Sequence, residues 1–89
     1  MDKFFFSNKQ MFNLANLKVN KTAKIIGFKN DLNYKIKKRL LEVGFVNNVL
    51  VKLINVSFLN EVMLFELNGY LICIRKDIAR KIICSEEKV

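Results

Sequence analysis

The dipeptide Asn68-Gly69 is the feature that most constrains how this chain can fold. It joins two segments rich in β-branched and aromatic residues, Val62–Leu67 and Tyr70–Arg75. A type I′ turn needs a positive φ at both central positions, and Asn-Gly is the pair that best accepts this conformation. The sequence therefore predicts an antiparallel hairpin across Asn68 and Gly69.

Further short segments complete a mainly β pattern. Residues 22–28 and 49–58 have strand character, and residues 81–84 can form a closing strand. Residues 14–17 and 76–80 each predict a single helical turn. With 89 residues the chain can bury one modest core. These features predict a small β-barrel that is closed by its terminal strands and carries one helix.

One amphipathic helix is predicted over residues 32–43. Its apolar positions recur at helical spacing and comprise Leu32, Ile36, Leu40 and Val43. Asn30 and Asp31 lie where a side-chain oxygen can cap the first turn, so we expect the helix to start there. Gly44 lies where a left-handed residue ends a helix without a Cβ penalty. Phe45, directly after it, is expected to fill the core where helix meets strand.

The charge of the chain is uneven. The formal net charge is +8, and residues 1–39 hold ten Lys and Arg against two Asp and Glu. Lys35, Lys38 and Arg39 project from the exposed side of the predicted helix. Such a face suits an acidic protein surface, an anionic membrane or nucleic acid, and it is also common as a merely solvated face.

The chain termini and the cysteines give weaker signals. Residues 1–13 are expected to be a tail or lead-in whose phenylalanines, Phe4 to Phe6, pack on a surface, and residues 85–89 to be a second tail. Neither a signal peptide nor a membrane-spanning run is evident, so we expect a cytoplasmic protein. Cys73 and Cys84 are then interpreted as small buried hydrophobic residues rather than as a disulfide.

The residue inventory argues against catalysis and against a metal site. The chain has no histidine and lacks a phosphate-binding glycine loop or a nucleophile elbow. Two cysteines with ten residues between them make a poor ligand set for a divalent metal, even if adjacent strands brought them together. We therefore expect neither an enzyme nor a cofactor or metal bound by one chain.

Two motifs resemble the FeoA family of accessory proteins of bacterial ferrous-iron transport. The first covers residues 39–45, RLLEVGF, and the second covers residues 69–75, GYLICIR. The resemblance implies a structural role for six residues: Leu40, Leu41, Gly44, Phe45, Asn48 and Gly69. The likeness extends over residues 14–84.

Typical FeoA members carry Pro-Gly before the first strand and again after Gly-Phe. Here those places hold Val19-Asn20 and Asn47-Asn48. Asparagine is the non-glycine residue that best tolerates the left-handed region, so Asn20 and Asn48 are expected to hold the same turns. The loss of both prolines is expected to lower stability without redirecting the fold.

The resemblance implies a fold and a partner. Family members have an SH3-like β-barrel and act beside the membrane transporter FeoB, so the chain is expected to be a non-enzymatic interaction module for that transporter. The same domain type also ends some metal-responsive repressors of the DtxR kind, whose DNA-reading helices this chain lacks.

Five residues are the expected partner contacts: Lys35, Lys38, Arg39, Tyr70 and Arg75. A tyrosine in the position of Tyr70 is more often part of the barrel wall than a contact, and Arg75 is alternatively interpreted as an ion-pair partner of Asp77 or Glu66. A free strand edge or the phenylalanine-rich segment could also bind a second copy.

Two rival functions remain open from the sequence. One is a small basic barrel that binds nucleic acid, which would require aromatic side chains exposed among the lysines. The other is a metal-responsive corepressor. Association with a membrane is expected only indirectly, through the transporter, which would place the cytoplasmic protein at the inner face of the membrane.

Overall fold

A computed structural model describes residues 10–87 as a six-stranded antiparallel sheet with two helices. In chain order the elements are β1 (Met11–Asn13), a 3₁₀ turn (Leu14–Asn16), β2 (Thr22–Phe28), α1 (Tyr34–Val43), β3 (Leu50–Val56), β4 (Val62–Leu67), β5 (Tyr70–Arg75), α2 (Lys76–Ala79) and β6 (Ile82–Glu87). The bounds predicted for β2, β4 and β5 are confirmed. None of the helices in this part of the chain is long and apolar enough to span a bilayer.

The strand order in the sheet is β1-β6-β2-β3-β4-β5. The mainly β fold class is thereby confirmed, with one difference in detail. The terminal strand β6 pairs with both β1 and β2, as a closing strand should. The ladder nevertheless stops at β5, which pairs only with β4 among the described strands. The sheet is therefore not closed, and β1 and β5 are its two edges.

The described chain extends the domain at both ends beyond the predicted limits of 14 and 84. Met11–Asn13, assigned to the lead-in by sequence, pairs with β6, and Ser85, assigned to the tail, lies opposite Met11. A three-residue strand shows too few positions for a period to be recognised, which explains the missed element. The expected packing of Phe4 to Phe6 lies outside the described residues.

Three predicted left-handed turns are confirmed. Asn68 has φ 50° and Gly69 has φ 89°, as a type I′ hairpin requires. Asn20 and Asn48 have φ 71° and 73°, so each holds the left-handed turn that glycine holds in the family pattern. The Asn48 N–H donates to the Ile25 carbonyl at 2.7 Å, which ties the turn before β3 to β2.

Helix α1 begins later than predicted and ends where predicted. The side chain of Asn33, not of Asn30 or Asp31, accepts from the N–H groups of Lys35 (2.8 Å) and Ile36 (3.3 Å). At the other end Gly44 has φ 113°, and its N–H donates to Leu41 at 3.1 Å while Phe45 donates to Leu40 at 2.9 Å. This pair of bonds is a Schellman motif, so the glycine stop is confirmed.

The core lies between the curved sheet and the two helices. Phe45 is fully buried, as expected, and meets Phe65 edge to face with ring centroids 6.3 Å apart. Cys84 is buried, but Cys73 is exposed, so the prediction that both cysteines are core residues is wrong for Cys73. Its side chain points to the face of β5 opposite to that of Ile74, which is buried.

Candidate functional site

A groove of about 650 Å³ runs between helix α1 and the edge strand β5. The helix and the strand form its walls, and both carry apolar side chains that the rest of the protein covers only in part. Its apolar lining comes from α1, β5 and α2: Ile36, Leu40, Val43, Ile72, Ile74 and Ile78. Four of these side chains, those of Ile36, Val43, Ile72 and Ile78, are only partly buried. The groove is therefore an open apolar surface rather than a closed cavity.

Two arginines and one aspartate stand at the groove. Arg39 projects from α1, while Arg75 and Asp77 lie where β5 passes into α2. The Arg75 guanidinium donates to both carboxylate oxygens of Asp77, at 3.2 and 3.1 Å. This hydrogen bonding lowers the pKa of Asp77 below 3.8. Of the two acidic partners considered from sequence, the structure selects Asp77 over Glu66.

Arg39 remains available to a ligand. No ion pair within residues 10–87 engages its guanidinium, and the residue is exposed. Since Asp77 is already paired with Arg75, the groove carries one uncompensated positive charge beside its apolar lining. This combination suits a partner segment that carries apolar side chains and a carboxylate.

Tyr70 joins the two walls of the groove. Its hydroxyl donates to the Val43 carbonyl at 2.9 Å, across 27 residues of sequence. The acceptor is one of the orphan carbonyls at the end of α1, so the bond both satisfies the helix terminus and holds it against β5. Tyr70 is 50% exposed, so it is not a buried part of the barrel wall. Its hydroxyl already donates to Val43 and is not available to donate to a partner.

The backbone of β5 is also open on its outer side. In a two-residue hairpin the flanking residues, here Leu67 and Tyr70, form a hydrogen-bonded pair, and such pairs recur at every second residue. Tyr70, Ile72 and Ile74 therefore bond to β4. The N–H and C=O groups of the alternate residues face away from the sheet, and no described strand covers them.

The structure separates the five expected contact residues into two groups. Arg39 and Arg75 line the groove, and Tyr70 braces it. Lys35 and Lys38 are exposed on α1 outside the groove lining. All three basic residues of α1 named above are exposed, but only Arg39 lies beside the apolar surface of the groove.

The groove lining itself was not predicted as a site. Sequence periodicity identifies the apolar side of a helix such as α1, but it does not show how far the sheet covers that side. A signal was present in the pair Ile72 and Ile74, which alternate on one face of a strand that ends the sheet.

No metal centre is evident in the described part of the chain. Residues 10–87 contain no group of three His, Cys, Asp or Glu side chains placed to hold an ion. Cys73 and Cys84 lie on β5 and β6, which are not neighbouring strands, so they do not meet. Burial raises the pKa of the Cys84 thiol to about 12, which disfavours the thiolate that metals bind.

Solved structures with the same fold span several proteins. A FeoA protein from Chlorobium tepidum superposes with a TM-score of 0.80 at 21% identity, covering 86% of this chain and 71% of that one. A zinc complex of Stenotrophomonas maltophilia FeoA, described as a prokaryotic SH3 domain protein, gives 0.73 at 22%, covering 86% and 96%. A manganese-dependent transcriptional repressor gives 0.78 at 7%, covering 91% and 44%.

The SH3-like fold class is confirmed by these structures, while their low identities support the fold alone. Comparison with curated proteins gives no match. The family model for the FeoA domain matches residues 12–86, which is nearly the whole sequence and includes both motifs identified above. The chain therefore belongs to the FeoA domain family.

Proposed function

We propose that this chain is a non-enzymatic accessory protein of ferrous-iron uptake that docks through the α1–β5 groove on the cytoplasmic part of a FeoB-type transporter. Membership of the FeoA family supports the iron-transport role. The Stenotrophomonas relative is itself described as a candidate activating factor of ferrous-iron transport. The observation that carries the docking mode is the apolar groove with the unpaired Arg39 beside it.

The chemistry of the groove favours binding over catalysis. Its charged groups are two arginines and one aspartate, and the aspartate is already held by Arg75. The lining of the groove includes no histidine, glutamate or lysine that could act as a general acid or base. An apolar surface with a charged rim is instead the usual composition of a transient protein interface.

The binding mode is a partner segment laid along β5. The open backbone groups of β5 can hydrogen-bond an added strand, and the groove beside them accepts alternate side chains of that strand. A carboxylate on the segment would pair with Arg39. The interaction should weaken as salt rises, because part of it is electrostatic.

A matched pair of β5 variants tests this function. Ile72→Lys places a charge in the groove, whereas Leu71→Lys places the same charge on the neighbouring residue of the same strand, which is exposed on the other face. Binding to the purified cytoplasmic region of FeoB is measured by titration calorimetry. Ile72→Lys should weaken binding by about tenfold or more, as for a central interface residue, and Leu71→Lys by less than about twofold.

Charge reversal on α1 separates the groove from the basic face. Arg39→Glu should weaken binding strongly, while Lys35→Glu, outside the groove, should act only through the salt-dependent association rate. Equal effects of the two changes would contradict docking at the groove and favour the whole basic face. No binding of the unaltered chain to FeoB would overturn the proposed function itself.

A nucleic-acid role has one observation in its favour. Tyr34 is 73% exposed at the start of α1, one turn from Lys38. Single-strand binding surfaces, however, stack several bases on successive aromatic side chains, and Tyr34 has no aromatic neighbour on this face of α1 within the described residues. A gel shift with single-stranded DNA and RNA at physiological salt distinguishes the two functions, since the FeoB-docking module should not shift either.

A further inference from the structure

The hairpin between β3 and β4 ends in two exposed apolar side chains. Phe58 is 99% exposed and Leu59 is 69% exposed, although the sequence pattern placed Phe58 inside a strand. A single exposed apolar residue is ordinary on a protein surface. Two adjacent ones at the tip of a protruding hairpin form a contiguous apolar patch, which is typical of an interaction site.

The tip is held rigidly by its own hydrogen bonds. The Asn60 N–H donates to the Ser57 carbonyl at 2.8 Å, and the Ser57 hydroxyl accepts from the N–H groups of Glu61 (3.2 Å) and Val62 (3.1 Å). Asn60 takes the left-handed conformation with φ 61° that returns the chain to β4. Phe58 and Leu59 are therefore displayed at little cost in ordering when they bind.

Basic residues lie on one side of the tip. The first N–H of α2, that of Lys76, donates to the Glu61 carbonyl at 2.8 Å, so α2 starts at the base of the hairpin. Lys76 and Arg80 line a cavity of about 490 Å³ together with Asn60 and Glu61. Glu61 is the unpaired acidic group there, because Asp77, which also lines the cavity, is bound to Arg75.

Basic residues also lie on the other side. The Leu53 N–H donates to the Lys21 carbonyl at 3.1 Å, and the Lys21 N–H donates to the Lys18 carbonyl. Leu53 precedes the end of β3 by three residues, so this loop lies about 10 Å along the strand from the base of the tip, at 3.3 Å per residue. Lys18 and Lys21 are both exposed. The apolar tip thus stands between two pairs of cations.

We propose that the β3–β4 hairpin is a membrane-insertion loop, in which Phe58 and Leu59 enter the interfacial region of an anionic lipid bilayer while Lys18, Lys21, Lys76 and Arg80 contact the headgroup phosphates. A convex tip with neighbouring apolar side chains needs no matching cavity when it enters a bilayer. Cations on both sides of it match a planar layer of negative charge, and the net charge of +8 adds long-range attraction. The proposal goes beyond the indirect membrane contact expected from sequence, and it does not depend on docking to FeoB.

The affinity of the hairpin tip for a bilayer is expected to be modest. Two apolar side chains and a few basic groups give a reversible interfacial contact, comparable with that of a single weak lipid anchor. A contact of this strength orients a protein beside a membrane partner rather than fixing it irreversibly. Its electrostatic part should fall with rising salt.

Tryptophan reporters test the insertion directly, because the chain contains no tryptophan of its own. Phe58→Trp is compared with Tyr34→Trp, which reports from an exposed site on α1. The full chain is mixed with vesicles of phosphatidylcholine and phosphatidylglycerol, and with vesicles of phosphatidylcholine alone. Phe58→Trp emission should shift to shorter wavelength and be quenched by brominated acyl chains with the anionic vesicles, while Tyr34→Trp should show neither effect.

Co-sedimentation with the same vesicles supplies the second readout. Phe58→Ser with Leu59→Ser should reduce vesicle binding by about tenfold or more, since most of the apolar contact is lost. Leu50→Ser removes an apolar side chain that is 44% exposed at the opposite end of β3 and should leave binding within about twofold. Circular dichroism confirms that each variant is folded.

Three results would overturn the proposal. The first is that the unaltered chain fails to bind anionic vesicles at low salt. The second is that the double serine variant binds as well as the unaltered chain, which would assign binding to general positive charge alone. The third is a Phe58→Trp shift produced by the cytoplasmic region of FeoB but not by vesicles, which would make the hairpin tip a protein contact.

Discussion

Replacing the three glycines of the chain one at a time by alanine separates backbone strain from steric crowding. Gly27 has an ordinary φ, and a Cβ added there would meet no atom within 4 Å. Gly69 has φ 89°, but a Cβ would again meet nothing. Gly44 has φ 113°, and a Cβ would lie 3.3 Å from Leu67 and 3.6 Å from the Tyr70 hydroxyl. An alanine at Gly27 would therefore meet neither strain nor crowding, and one at Gly69 would meet strain alone. An alanine at Gly44 would meet both.

The expected losses in the free energy of unfolding follow from these differences. A left-handed alanine costs about 1–2 kcal/mol, and the reduced freedom of the unfolded chain returns about 0.4–1 kcal/mol. Gly69→Ala should therefore lose about 1 kcal/mol. Gly44→Ala should lose about 2–4 kcal/mol, because Leu67 is fully buried and crowding a packed core adds about 1–3 kcal/mol to the loss from strain. Gly27→Ala should be neutral or stabilising by up to about 1 kcal/mol.

Urea unfolding followed by circular dichroism measures all three variants on one scale. With a slope of about 1–3 kcal/mol per molar urea, the midpoint for Gly44→Ala should fall by roughly 1–2 M, at least twice the fall for Gly69→Ala. Equal losses at Gly44 and Gly69 would refute the crowding of Leu67. A loss at Gly27 as large as that at Gly44 would refute the assignment of strain to the left-handed turns.

Three further results are expected. Iodoacetamide should alkylate Cys73 rapidly in the folded chain and Cys84 only after unfolding, because burial raises the pKa of Cys84 to about 12; equal rates would contradict this. An NMR titration of Asp77 should give a pKa below 3.8 that rises in Arg75→Gln. The pair therefore stabilises the fold at pH values above the pKa of Asp77 in the unfolded chain, and this contribution is lost as the pH falls through the lowered pKa of the folded chain. No change of the Asp77 pKa in Arg75→Gln would contradict the pairing. Tyr70→Phe should lower the free energy of unfolding by about 0.5–1.5 kcal/mol through loss of its hydrogen bond to Val43, measured in urea, and no loss would exclude a stabilising bond.

Local signals in the sequence predicted the elements that depend on local chemistry. Few residue types accept the left-handed backbone conformations found at Asn68, Gly69 and Gly44. The residue types at these positions therefore predict the hairpin turn and the end of the helix. The strands β4 and β5 follow from the hairpin between them. Phe45 could be placed in the core because it directly follows the helix stop, where the chain turns inward.

Features that depend on packing at a distance could not be predicted. The start of α1 moved to Asn33 because several polar residues in a row can cap a helix, and the tertiary position of the chain selects among them. Cys73 was assigned to the core because an apolar strand gives no sign of which face lies at a sheet edge. The groove depends on the distance between α1 and β5, which the periodicity of neither element contains.

The groove owes its shape to bonds at both of its ends. At one end the Tyr70 hydroxyl holds the last turn of α1 to β5, directly before Gly44 ends the helix. At the other end the bidentate pair of Arg75 and Asp77 fixes the junction of β5 and α2. Neither bond involves an apolar side chain of the groove, so both leave the apolar lining uncovered. A partner would then meet a preformed site and would pay little to order it, which favours a small basic domain as a docking module.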